Sequence, residues 1–239
     1  MALTIVMAVY GQPRMLEFQV KSFYEHAKEV RDQVRVIVVD DHGDPPVPKM
    51  INWEVYRIDD DIEWNQMGAR NLGMDRASGW CVMIDPDMVF DEPNLRKLIK
   101  EAKRNRRGLV TKYCLRHADG GREGEINPTS PNTYLIHRDD FFAAGGYDEE
   151  YRGKKGWSDV QMLDVLKAHY PVKLRKDIWA DFYGTATIED AAVMSLDRSV
   201  AHNKRLRINK QQQAKRKGWK WWVKNEKGPN LRFKWHQVI

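Results

Sequence analysis

Three apolar runs in this 239-residue chain end in polar residues that could do chemistry: Asp85-Pro86-Asp87 after residues 80–84, Asp40-Asp41 after residues 34–39, and Tyr10-Gly11 after residues 3–9. An Asp-x-Asp pair presents hard oxygen ligands suited to Mn²⁺ or Mg²⁺, and such an ion in turn grips a diphosphate. The same triplet also reads as an ordinary turn. Asp40-Asp41 is the weaker signal, because acids at strand ends are commonplace. Further on, Asp159 follows Ser158 at the start of an apolar-periodic stretch, where the helix macrodipole favours an ionised carboxylate. Ser158-Asp159-Val160-Gln161 matches a capping box, so a helix is expected with Ser158 as its cap. Helix capping is also the plain reading of Asp159. His137 lies on a short apolar run and reads as a core or cleft residue.

The elements that would carry these residues alternate. Residues 3–9, 34–39, 53–58 and 80–84 read as strands. Between them, Pro13 suits the first turn of a helix with Leu16, Val20 and Phe23 on one face, and residues 64–77 form a second helix. Asp91, Glu92 and Pro93 open a third, running to about residue 103. Strands alternating with helices predict a mostly parallel sheet covered on both faces, and ligands gather at the carboxyl ends of such strands. The second half is less regular. Strands are expected over residues 108–115 and 132–137, a Gly-rich polar loop over 116–130, the helix from Ser158, and a helix over about 199–217. No period is legible from Trp219 to Ile239.

Composition bounds the rest. At 42% hydrophobic and 31% charged residues the chain can fill a core. No apolar run reaches the ~18 residues of a membrane span. Cys81 and Cys114, both in apolar segments, argue against a disulfide framework and for a reducing, cytoplasmic setting. The net charge of +6 hides an asymmetry: residues 198–239 hold 13 Lys and Arg against one acid, Glu226. The first 197 residues therefore carry 27 basic and 33 acidic side chains.

Taken in order, VMAVYGQP, VIVVDDHGD and NQMGARNLGMDRASGWCVMIDPDMVF resemble the donor half of family-2 glycosyltransferases. LIHRDDFFAAGGYDEEYRGKKGWSDVQMLDVL resembles their acceptor half. The likeness runs over residues 3–166. It implies an α/β fold of the GT-A, Rossmann-like type, with a donor half over 1–107 and an acceptor half over 108–197. Residues 198–239 would be a basic extension. Carried over, Tyr10 with Asp40 or Asp41 would hold the nucleoside of a nucleotide-diphosphate sugar, UDP most readily. Arg70 would lie near the diphosphate, and Asp85 and Asp87 would manage Mn²⁺ or Mg²⁺, with His202 as a third ligand. Asn71 and Gly73 read equally well as helix packing. Asp159 would be the general base of an inverting hexosyl or pentosyl transfer, with Trp157 and Ser158 on the acceptor side. Ser158 stands where the family usually has Glu, so the acceptor contact differs there.

The extension interleaves Lys and Arg with Trp219, Trp221, Trp222, Phe233 and Trp235. Cations among aromatics suit nucleic acid, with Trp221 and Trp222 stacking on bases. They also suit peripheral contact with an anionic membrane, or packing back on the domain. The expected activity is thus sugar transfer to a polyanionic acceptor, with a hydroxylated base in viral DNA as first choice. A lipid-linked or surface polysaccharide at the inner membrane face is the alternative. A non-catalytic nucleotide- or nucleic-acid-binding module is a third reading, disfavoured because Asp85, Asp87 and Asp159 are all present.

Overall fold

Alternation along the first apolar run decides the architecture. In the computed structural model, which describes residues 1–118, 122–184, 199–218 and 231–239, β1 (Leu3–Val9) is buried throughout. Leu3, Ile5, Met7 and Val9 join one apolar layer, Val6 and Ala8 the other. Successive side chains of a strand point to opposite faces, so a strand apolar on both belongs at the centre of a covered sheet. β2 (Val34–Asp40), β3 (Glu54–Ile58) and β4 (Trp80–Ile84) join β1 in parallel, in the order β3-β2-β1-β4.

One face is covered by α1 (Pro13–Tyr24) through Leu16 and by α4 (Glu92–Arg104) through Leu95, Leu98 and Ile99. A four-residue helix, α2 (Lys28–Arg31), sits between α1 and β2. The other face is covered by α3 (Gln66–Arg76), α5 (Arg138–Ala143) and α6 (Ser158–His169), through Leu72, Phe141 and Met162 among others. The acid-proline start of α4 behaves as the sequence predicts: the Asp91 carboxylate accepts from Asn94 N at 2.8 Å. Gly73 has a packing reason, since a Cβ there would run into Val6 of β1.

Beyond β4 the sheet is mixed. With β5 (Met88–Val89), β6 (Val110–His117), β8 (Tyr134–His137), β9 (Val172–Phe182) and β10 (Trp235–Gln237), its order is β10-β3-β2-β1-β4-β8-β6-β9-β5, and β7 (Ile126–Asn127) lies beside β6. β8 runs antiparallel to both β4 and β6. β9 runs parallel to β6 and antiparallel to β5. β5 and β9 extend the expected set of strands, and β7 falls inside the expected loop.

Two further differences concern the acceptor side and the extension. Ser158 is not the cap of α6. It is the first helical residue and buried, while Trp157 before it adopts a left-handed conformation at φ 68° and makes no side-chain cap bond. Gly156 at φ 86° and left-handed Trp157 take up the turn, so the helix has already begun when the chain reaches Ser158. The extension is fastened to the domain wherever it is described. α7 (Ala201–Arg216) pairs Arg207 with Asp164 and Lys210 with Asp148. β10 pairs antiparallel with β3. No described helix is long and apolar enough to cross a membrane.

Candidate active site

The carboxyl ends of β1, β2 and β4 open onto one cavity of about 300 Å³. Tyr10 and Asp41 line it at one end, Asp85 and Asp87 at its floor, and Ser158 and Asp159 at the first turn of α6. Residues more than 70 positions apart in sequence thus meet because α6 packs on the same sheet face as α3.

Beneath the cavity lies Arg70, only 1% exposed. Its Nη2 pairs with Asp85 Oδ1 and its Nη1 with Asp159 Oδ1. Nη1 also donates to the Tyr147 hydroxyl at 3.0 Å, and that hydroxyl donates to Asp159 Oδ1 at 2.9 Å. Tyr134 donates in turn to the Tyr147 oxygen at 3.2 Å. Burial opposes the Arg70 charge, but Asp159 and Asp85 outweigh it and hold the guanidinium well above its ordinary pKa. A buried cation stripped of one such partner costs about 3–5 kcal/mol, so this network fixes where both carboxylates sit. Arg70 is thus not itself part of the cavity lining. It braces the two acids that do face the cavity.

Asp85 is held from every side. Its Oδ1 accepts from Gln66 at 2.8 Å as well as from Arg70, and its Oδ2 accepts from Asn132 at 2.6 Å. Asp87 differs. Its Oδ1 is buried without a partner among the described residues. Burial first, and the nearby Asp85 charge second, push its carboxyl up to about 7. Burial likewise raises Asp41 to about 7, against a 2.9 Å hydrogen bond from Asn65. The turn carrying Asp87 is held from behind by Gln19, whose amide donates to Pro86 O and Met88 O, both at 2.6 Å.

Several predicted residues are placed otherwise. Asp40 is turned into its own loop, where it accepts from Gly43 N at 2.7 Å and Val47 N at 3.0 Å and pairs with Arg57. Of that acid pair only Asp41 faces the cavity. His202 lies exposed in the first turn of α7 and is not among the cavity residues. The Trp157 ring lies under the Arg207 guanidinium at 5.3 Å rather than in the cavity lining. Trp221 and Trp222 fall outside the described residues. Asn71 joins the two halves: its amide donates to Tyr147 O at 2.9 Å and Glu149 Oε1 at 3.0 Å, and its oxygen accepts from Tyr147 N at 2.9 Å.

Sequence reasoning passed over Gln66, Asn132 and Tyr147. Tyr147 carried a signal, since it lies within the stretch whose likeness marked the acceptor half. Asn132, in a loop, carried none.

The metal expectation can be tested against these side chains. Hard carboxylate oxygens, one of them buried and unpartnered on Asp87, fit a divalent cation. No group of three His, Cys, Asp or Glu converges among the described residues, so the expected ligand trio with His202 is not assembled.

Comparisons with known proteins address the family and the fold. Residues 4–153 match the family model described as Glycosyl transferase family 2. Comparison with curated proteins gives no sequence match. Among solved structures, that of S. aureus TarS 1-349 is similar at a TM-score of 0.62 and 12% identity, covering 95% of this chain and 77% of that one. The complex of the same protein with UDP-GlcNAc is similar at 0.62 and 10% identity, covering 86% and 70%. At such identities the structural likeness speaks for the fold, and the family match covers well over half of the sequence. The chain belongs to glycosyl transferase family 2, as a GT-A glycosyltransferase served by a nucleotide-sugar donor.

Proposed function

We propose that the protein moves a sugar from a UDP-sugar to a hydroxyl of a glycan or lipid-linked glycan, with inversion, using Asp159 as general base. One observation carries the reading: a single buried cation, Arg70, holds Asp159 and Asp85 at the same cavity. An inverting displacement needs a carboxylate on the acceptor side and charge control on the leaving side. Asp159 uses Oδ1 for Arg70 and Tyr147, and no described residue engages its Oδ2, the oxygen that would take the acceptor proton. As the acceptor oxygen bonds to the anomeric carbon, the bond to the diphosphate breaks and the proton passes to Asp159.

Tyr10 and Asp41 would hold the nucleoside, Asp41 accepting from the base or ribose. Asp87, with Asp85 behind it, would hold Mn²⁺ or Mg²⁺, which when bound supplies positive charge for the diphosphate. The UDP-GlcNAc complex of the similar TarS structure supports UDP as the nucleotide.

The glycan reading is preferred over nucleic acid because the aromatic residues that suggested base stacking are engaged where they are described. Phe233 is buried, and Trp235 packs edge-on against Tyr56 with Arg76 over its ring. Two of the cations on α7, Arg207 and Lys210, are paired with acids of the domain.

The experiment is a donor-hydrolysis screen over nucleotide sugars, with and without Mn²⁺, followed by transfer to glycan and DNA acceptors. Hydrolysis restricted to UDP-sugars and transfer to a glycan are expected. Absence of hydrolysis with every donor would refute the enzyme, and transfer to DNA alone would restore the nucleic-acid acceptor.

A further inference from the structure

Residues 231–239 lie against α3 near both its ends and reach its middle through Glu149. At its start, Phe233 is seated over Gly68: a Cβ built on that glycine would stand 2.7 Å from Phe233 Cε1, so the ring needs the bare backbone. In the middle, Leu231 N donates at 3.3 Å to Glu149 Oε1, the same oxygen that accepts from Asn71. At its end, the Arg76 guanidinium lies 5.0 Å over the Trp235 ring. The segment is itself tied to the strand beside the helix. β10 pairs with β3, Val238 N donates to Val55 O at 2.9 Å, and Asp59 N donates to Lys234 O at 2.8 Å.

α3 is the element from which the cavity acids are held. Asn65, just before it, donates to Asp41; Gln66 donates to Asp85; Arg70 pairs with Asp85 and Asp159. Asn65 also sits next to Gly68, whose added Cβ would strike its side-chain oxygen. The Phe233 ring and the Asp41 contact therefore meet in one turn of the helix.

We propose that the C-terminal segment is a strap whose Phe233 ring is a positioning residue for the donor site, pressing the first turn of α3 into the register that aims Asn65, Gln66 and Arg70. This rests on the reading of the cavity as a donor site. The segment is short and its anchors lie at the edge of the sheet, so the strap can open locally while the sheet stays folded. Opening then loosens the three side chains that fix the acids. By linkage, a donor that needs those acids in place must also hold the strap closed.

The test uses the full chain and has two arms. In the wild-type protein, saturating UDP should slow amide exchange of residues 231–238 as well as of α3. In the second arm, Phe233→Ala should raise the dissociation constant for UDP at least ten-fold and speed exchange of α3, while amides of β1 and β4 keep their protection. Phe233→Leu, which refills most of the volume, should recover most of the affinity. Unchanged UDP affinity in Phe233→Ala, or exchange that rises equally across the whole sheet, would overturn the proposal. So would a strap whose exchange is indifferent to UDP in a protein that binds UDP. A wild-type protein that binds no nucleotide would sink the donor reading instead, and the exchange of α3 in Phe233→Ala would then decide the strap alone.

Discussion

Replacing Asp41 by Asn should stabilise the protein at high pH and leave it nearly unchanged at low pH. In the folded state burial lifts the Asp41 carboxyl from 3.8 to about 7, even with Asn65 donating to it. A folded-state pKa above the unfolded one means that the native protein binds the proton more tightly. Stability is therefore greatest below the unfolded value and declines as pH rises from about 4 to about 7, where the cost levels off. At about 1.4 kcal/mol per pH unit, the plateau is about 4 kcal/mol. At pH about 5 only the first part of that cost is present, about 1.5 kcal/mol. Asn keeps an oxygen to accept from Asn65 and has no charge to desolvate. Urea denaturation of both proteins should thus show the variant gaining about 3 kcal/mol more at pH about 8 than at pH about 5. The same variant should bind the nucleotide donor more weakly, because a carboxylate is the stronger acceptor for a nucleoside N–H or O–H. A stability difference that is flat between the two pH values would refute the buried-carboxylate argument.

The remaining predictions concern the reaction and its supports. Asp159→Asn should lower transfer by about 10²–10⁴-fold with donor affinity nearly constant; an equal loss of UDP binding in calorimetry would make Asp159 a structural partner of Arg70 only. Asp87→Asn should abolish turnover and leave the circular dichroism spectrum unchanged, and full wild-type activity in excess chelator would remove the metal. Asn203→Ala should destabilise by about 3 kcal/mol in thermal melts. Its buried amide donates to the carbonyls of Tyr151, Lys154 and Gly156 at 2.9, 2.6 and 3.0 Å, and these hold the loop that leads to Asp159. Transfer should fall more than donor hydrolysis, and an equal fall in both would show that the loop serves the donor as well.

Much of this was legible in the residues, for a physical reason. β1, β2 and β4 are covered on both faces, so each is an apolar run that stops where the sheet meets the cavity, and Tyr10, Asp41, Asp85 and Asp87 just beyond them line it. β9 was not legible. VKLRKDIWADF is exposed over much of its first half, and Lys and Arg there give no apolar alternation to read. β10 is three residues long and takes its conformation from β3, not from its own pattern. Within the site, Asp85, Asp87 and Asp159 could be named from local sequence. What Arg70 does could not, because its two partners are defined by how α3 and α6 pack. Sequence likeness put Arg70 near the donor; the structure adds that it is buried and pairs with Asp85 and Asp159.

Among the described residues the sheet ends on both sides in very short strands, β5 with two residues and β10 with three. An open strand edge is a template for pairing with another molecule, and short edge strands limit that hazard. β10 occupies the side of β3 away from β2, where a row of N–H and C=O groups would otherwise face outward. β10 is thus the guard on that flank, and a variant that unpairs it from β3 should self-associate more readily than the parent protein.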